Sequence, residues 1–152
     1  MKKILLIYTG GTIGMIQKNN SLSPFDFDNL KNAIPEIKDC GSDVQHISLE
    51  NPIDSSNMNI KYWRELSSCI YNHYDRYDGF VILHGSDTMA YTASIISFMF
   101  ENVNKAIILT GSQLPIGIKR SDAKENLITS IEIASSGIIN EVCVYFEYQL
   151  FR

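Results

Sequence analysis

The chain has 152 residues, 45% hydrophobic and 11% aromatic, which is enough apolar side chain to cover one compact core and too much for a disordered tail or linker. Lysine and arginine number 13 against 17 aspartate and glutamate, for a formal charge of -4 and a pI of about 5.3. No positive field exists to hold a phosphate backbone, so nucleic acid is not an expected partner. No apolar run approaches the roughly 20 residues of a membrane-spanning helix, so no membrane association is expected either.

In chain order, the first predicted element is a buried strand from Lys3 to Tyr8. Its aliphatic run breaks at Tyr8-Thr9-Gly10-Gly11, too early for a signal peptide, which places the protein in the cytoplasm. Lys18 to Pro24 is polar and turn-rich and reads as a mobile surface loop near the end of that strand. A strand is expected from Asp43 to Ile47. A helix with Trp63, Leu66 and Ile70 on its apolar stripe follows, with Asn59 as its N-cap. Gly79 to Leu83 reads as the next strand. The helix after it carries Met89, Ala93, Ile96, Met99 and Phe100 on one side, with Thr88 or Asp87 placed to cap it. Ala106 to Leu109 is a further strand, followed by a helix from near Ser121 that turns Ala123, Leu127, Ile131 and Ala134 inward and stops around Gly137. Glu141 to Phe146 is the last strand. The closing segment Glu147 to Arg152 shows neither a turn signal nor a covering helix, which reads as a truncated end.

Short aliphatic strands alternating with longer helical segments specify an α/β domain with helices on both faces of a mainly parallel sheet. The expected architecture is a three-layer αβα sandwich of flavodoxin or Rossmann type, with residues 1–152 as one domain. Cys40, Cys69 and Cys143 are odd in number and show no C-x-x-C spacing, so reduced thiols are expected rather than a disulfide frame or zinc site. No cluster of His, Cys or acidic residues has metal-ligand spacing, so neither metal nor cofactor is expected.

Ligands of open parallel sheets bind beyond the carboxyl ends of the strands. Here those ends lead into Thr9-Gly10-Gly11-Thr12-Ile13-Gly14, Asp54-Ser55-Ser56-Asn57, His84-Gly85-Ser86-Asp87-Thr88 and Thr110-Gly111-Ser112-Gln113, which together describe one polar pocket. The Gly10-Gly11 turn leaves amides uncovered beside Thr12. It matches neither the P-loop nor G-x-G-x-x-G, which disfavours a nucleotide site, although a purely structural turn would carry the same glycines. Ser86 and Asp87 place a hydroxyl and a carboxylate beside helix amides that could face a ligand's carboxylate, while Asp87 receives its amine. Simple helix capping by either residue is the competing reading. His84 lies two residues before Ser86, so it is expected as a buried hydrogen-bonding group rather than as part of a triad.

Three segments are long enough to identify a family: Tyr8-Thr-Gly-Gly-Thr-Ile-Gly-Met15, Gly79-Phe-Val-Ile-Leu-His-Gly-Ser-Asp-Thr-Met-Ala-Tyr-Thr-Ala-Ser94 and Leu109-Thr-Gly-Ser-Gln-Leu-Pro115. With Arg120-Ser121-Asp122, Asn126-Leu127 and Asn140-Glu141-Val142 in the same order, the chain resembles the amino-terminal domain of bacterial type I, cytoplasmic L-asparaginases over essentially its whole length. The resemblance implies hydrolysis of L-asparagine to L-aspartate and ammonia through a threonine acyl-enzyme. It assigns Thr12 as nucleophile and Ser86 with Asp87 as the pair that helps activate water or nucleophile and holds substrate. Asp54, Ser55 and Ser56 are assigned to the loop gripping the substrate's α-carboxylate and amine, and Ser112 to a backbone contact. It further implies a homo-oligomer in the full-length form.

The sequence departs from the family pattern in three ways. Ser86 stands where threonine is usual, keeping the hydroxyl and losing the methyl that restricts its rotamer. Ser21-Leu22-Ser23-Pro24 lacks the tyrosine that many relatives carry in the flexible loop. The chain also ends before the lysine of the family's second catalytic set and before its smaller carboxy-terminal domain, so the isolated 152 residues are expected to be nearly inactive. Alternatives are a non-catalytic remnant that binds a small amino acid, the amidase subunit of a transfer-RNA-dependent amidotransferase, and a flavodoxin-like nucleotide binder.

Overall fold

A computed structural model describes residues 1–18, 21–24 and 34–152. Eight strands are defined among them: β1 (Lys2–Tyr8), β2 (Met15–Lys18), β3 (Ser21–Pro24), β4 (Ser42–Ser48), β5 (Gly79–Leu83), β6 (Ala106–Thr110), β7 (Val142–Phe146) and β8 (Gln149–Phe151). The helices are α1 (Ile60–His73), α2 (Met89–Met99) and α3 (Ala123–Ser136), with 3-10 turns at Thr12–Gly14, Pro35–Cys40, Ser55–Asn57, Tyr74–Arg76 and Ser86–Thr88.

The main sheet runs β4-β1-β5-β6-β7-β8, parallel from β4 through β7, with β8 antiparallel on its edge. Ile4 to Ile7 of β1 and most of β5 and β6 are apolar and buried because both of their faces are covered. Alternate side chains separate into two cores. Ile4, Leu6, Val81, Leu83 and Ile108 pack with Ala123, Leu127, Ile131 and Ala134 of α3. Leu5, Ile7, Phe80, Ile82, Ile107 and Leu109 pack with Leu66 and Ile70 of α1 and Met89 and Ile96 of α2. The result is the three-layer α/β arrangement that the sequence pattern specifies. Each fully buried aliphatic or aromatic side chain contributes about 1.5–3 kcal/mol relative to exposure, so these two clusters fix the strand ends in place.

The helix ends follow local chemistry. Asn59 caps α1 by accepting the Lys61 amide at 3.0 Å, and Gly137 closes α3 in the left-handed conformation at φ 72°. Helix α3 starts at Ala123 rather than Ser121, whose hydroxyl accepts the Ala123 amide at 3.0 Å. On α2, Met89 and Ile96 are buried and Ala93 and Phe100 partly so, but Met99 is exposed at the helix end. Neither Thr88 nor Asp87 caps it: no side-chain cap bond forms at its start, and the Thr88 hydroxyl donates to the Ser55 carbonyl instead, at 2.7 Å.

Two connections differ from the sequence expectation. Residues 15–18 and 21–24 pair as the antiparallel strands β2 and β3, where a mobile loop was expected over Lys18 to Pro24, and residues 19–20 of that span lie outside the described residues. Backbone pairing needs no apolar pattern, so polar residues conceal it. The end of the chain also turns: Phe146 faces Gln149 across Glu147 and Tyr148, both left-handed at φ 46° and 62°, and β8 returns along β7. Two consecutive left-handed residues make the tight hairpin turn that glycine or asparagine usually signals, and neither is present.

Candidate functional site

At the carboxyl ends of β1, β5 and β6, connecting loops meet through glycines. Gly10 (φ 129°) and Gly11 (φ 85°) adopt backbone that other residues rarely take. A Cβ on Gly10 would stand 1.9 Å from the Ile53 carbonyl oxygen, and one on Gly11 would stand 2.5 Å from the Gly85 nitrogen. A Cβ on Gly85 would lie 2.4 Å from Ser55 Oγ, and one on Gly111 would lie 2.5 Å from the His84 carbonyl oxygen. Backbone thus rests on backbone at Gly10, Gly11 and Gly111, and on the Ser55 side chain at Gly85. Hydrogen bonds close the contacts: the Ile53 amide donates to the Thr9 carbonyl at 2.9 Å, and the Thr9 amide to the Leu83 carbonyl at 3.0 Å.

This packing brings together the loops that carry the sequence candidates. Thr12 follows Gly11 in a half-buried turn, and Ser86 and Asp87 follow Gly85, both exposed at the start of the turn leading into α2. The 54–56 segment lies against Gly85 and is tied to α2 by the bond from Thr88. Helix starts carry amides without intrahelical acceptors and a partial positive charge, which suits an anion or developing oxyanion at this rim.

Asp54 accepts both the Ser56 amide at 2.9 Å and the Ser56 hydroxyl at 2.8 Å, capping the Ser55–Asn57 turn. These two bonds, the amide's first, hold its exposed carboxyl below the usual carboxylate range. Ser55 is buried. His84 is fully buried, with Nδ1 2.7 Å from the Gly85 carbonyl oxygen and Nε2 2.9 Å from Thr92 Oγ1, as expected of a buried hydrogen-bonding group. Burial pushes its pKa down, against the opposing effect of the Gly85 bond.

Three of the strand-end hydroxyls are used inside the fold. Thr9 and Thr110 are buried, and their hydroxyls donate to the Leu83 and Tyr145 carbonyls at 2.9 and 2.8 Å. Ser112 is buried too, bonded to the Leu114 carbonyl at 2.6 Å. Thr110 ends β6 and Thr9 and Ser112 lie just beyond strand ends, and all three hydroxyls are spent on neighbouring backbone carbonyls. Two further residues shape the rim without having been singled out for that role. The Asp122 carboxylate accepts the Gln113 and Leu114 amides at 2.8 and 3.1 Å, and Asn126 Nδ2 donates to the Gly111 carbonyl at 2.9 Å. Their only sequence signal is membership in the Arg120-Ser121-Asp122 and Asn126-Leu127 segments. Among the described residues, no group of three or more His, Cys, Asp or Glu gathers where a metal could be held.

Comparison with known proteins places this chain in a family. The family described as asparaginase, N-terminal, matches residues 3–152. The chain is 43% identical over 154 residues to L-asparaginase 1 of Escherichia coli strain K12, covering 99% of this chain and 46% of that protein. It is 38% identical over 174 residues to the 60 kDa lysophospholipase of Mus musculus, covering 99% of this chain and 31% of that one. The crystal structure of L-asparaginase I from Vibrio cholerae superposes with a TM-score of 0.91 at 42% identity, covering 99% of this chain and 46% of that one. The chain spans less than half the length of each of these relatives. With motifs, fold and a family match over residues 3–152 in agreement, the chain belongs to the asparaginase family and corresponds to its amino-terminal part.

Proposed function

We propose that the protein carrying this chain is an L-asparaginase that hydrolyses the side-chain amide of L-asparagine through an acyl-enzyme on Thr12. The observation that supports this reading is the close packing of Gly10 on Ile53, Gly11 on Gly85 and Gly85 on Ser55, which holds the loops carrying Thr12, Ser86, Asp87 and residues 54–56 against one another. Identity of 43% to an L-asparaginase supports the same substrate.

In this mechanism the Thr12 oxygen bonds to the amide carbon, and negative charge develops on the amide oxygen. Amides at the Thr12 turn and at the Ser86–Thr88 helix start stabilise that charge; one such donor is worth about 3 kcal/mol of barrier. The carbon–nitrogen bond then breaks, and the threonine proton ends on the departing ammonia. Water attacks the ester and releases aspartate, with Ser86 and Asp87 assisting nucleophile or water. Asp87 receives the substrate's amine, and Asp54, Ser55 and Ser56 hold its α-amino and α-carboxylate end. The chemistry needs neither metal nor cofactor. Its substrate is a small molecule, its compartment the cytoplasm, and its working form a homo-oligomer.

The test is ammonia release from L-asparagine by the full-length protein that carries these residues. Thr12→Ala is expected to lower the rate on the order of 10³-fold or more. Undiminished turnover in that variant would reject Thr12 as nucleophile.

A further inference from the structure

A chain of hydrogen bonds, buried at its centre and partly buried at its ends, runs from α1 through α2 to the loop after β5: Trp63 Nε1 to Thr92 Oγ1 at 2.9 Å, Thr92 Oγ1 to His84 Nε2 at 2.9 Å, and His84 Nδ1 to the Gly85 carbonyl at 2.7 Å. Its two ends leave no choice of direction. The indole nitrogen can only donate, and a carbonyl oxygen can only accept. His84 Nδ1 therefore carries a proton. Thr92 accepts from Trp63, and its own single hydrogen points to His84 Nε2, which accepts as the unprotonated ring nitrogen. A proton on Nε2 would set two donors against Thr92 Oγ1 and strand the threonine hydrogen at a site with 0% exposure.

The last bond acts on the rim. It draws the Gly85 carbonyl toward the core, and the Gly85–Ser86 peptide is trans. In a trans peptide the N–H points opposite to the C=O, so the Ser86 amide is turned away from the His84 ring. The His84 backbone is itself fixed, its amide donating to the Thr110 carbonyl at 2.9 Å.

We infer that His84, Thr92 and Trp63 form a proton-ordered brace that sets the plane of the Gly85–Ser86 peptide, making His84 a positioning residue for the reaction centred on Thr12. This rests on the proposed reading of Thr12 and Ser86 as members of the site. The brace touches no substrate, so weakening it alters the alignment of donors in the transition state more than substrate capture. Misplacement of catalytic groups by about 1 Å costs on the order of 10²-fold in rate.

The experiment uses the full-length protein, with kcat and KM for L-asparagine measured in His84→Leu, His84→Asn and Thr92→Val, beside Thr12→Ala. His84→Leu is expected to lower kcat about 10- to 100-fold with KM little changed. His84→Asn, whose side-chain amide can still donate to the Gly85 carbonyl, is expected to recover part of that loss. Thr92→Val is expected to fall between the two. In parallel, ¹⁵N NMR of the unaltered protein should show the His84 ring protonated at Nδ1 and bare at Nε2. A ring protonated at Nε2, or a His84→Leu enzyme with undiminished kcat, would overturn the inference. Because the ring signals are read without turnover, an active Thr12→Ala would sink the catalytic reading while the NMR result still judged the brace.

Discussion

Gly85→Ala isolates the contact on which the crevice depends. Gly85 sits at φ -72° and ψ 148°, a conformation alanine adopts freely, so the substitution introduces no backbone strain and tests space alone. The new Cβ would lie 2.4 Å from Ser55 Oγ and 2.8 Å from Ser55 Cβ. Against the ~3.5 Å at which non-bonded carbons rest, the second distance is short by about 0.7 Å. Rotating the Ser55 hydroxyl relieves the first clash but not the second, and Ser55 is 4% exposed, so the two loops must part. Overpacking of this kind costs about 1–3 kcal/mol. The assay is urea unfolding followed by circular dichroism for the wild type, Gly85→Ala, Ser55→Gly and the double variant. Ser55→Gly removes the Cβ in the way and keeps the Ser55 carbonyl that receives the Thr88 hydroxyl. The double variant should therefore be more stable than the two single losses sum to, with a coupling of about 1 kcal/mol or more. Additive losses, or a Gly85→Ala protein as stable as the parent, would refute the claim that these loops are in contact.

Other outcomes follow from single interactions. Asn59→Ala removes the side-chain cap of α1 and should cost about 1 kcal/mol in the same unfolding assay. Ser56→Ala takes away the hydroxyl bond that helps hold the Asp54 carboxyl low, so its pKa, read by ¹³C NMR, should rise toward the ordinary aspartate value. The His84 ring, held neutral by burial, binds a proton less readily folded than unfolded. Its contribution to stability is therefore complete above the unfolded histidine pKa of about 6.5 and is lost as pH falls below it. His84→Asn should accordingly show a smaller drop in unfolding free energy from neutral pH to about pH 5, and an unchanged drop would contradict the buried neutral ring.

The layers of this fold were legible because burial on both faces leaves strands almost wholly aliphatic. The expected segments Gly79 to Leu83 and Ala106 to Leu109 agree with β5 and with β6 to within one residue. Asn59 and Gly137 were legible because each satisfies a helix end by local chemistry. The β7–β8 hairpin was not, since Glu147 and Tyr148 take left-handed conformations that their identities do not announce. At the site, sequence pointed to the loops but not to the contacts between them. That Gly85 abuts Ser55, or that Thr92 reaches His84 eight positions away and Trp63 from another helix, depends on how strands and helices are ordered in space. The hydroxyls of Thr9 and Thr110 suit a pocket by residue type, yet the parallel neighbours of β1 and β6 offer them buried carbonyls, of Leu83 and Tyr145, that only the sheet order reveals.

The central claim is that Thr12 becomes covalently acylated. Acid quenching of the full-length protein during turnover of L-asparagine, followed by mass spectrometry of the peptide containing residue 12, tests it directly. An aspartyl ester on Thr12 that disappears in Thr12→Ala is the predicted result. Steady ammonia release with an unmodified Thr12 and the ester on another side chain would contradict it.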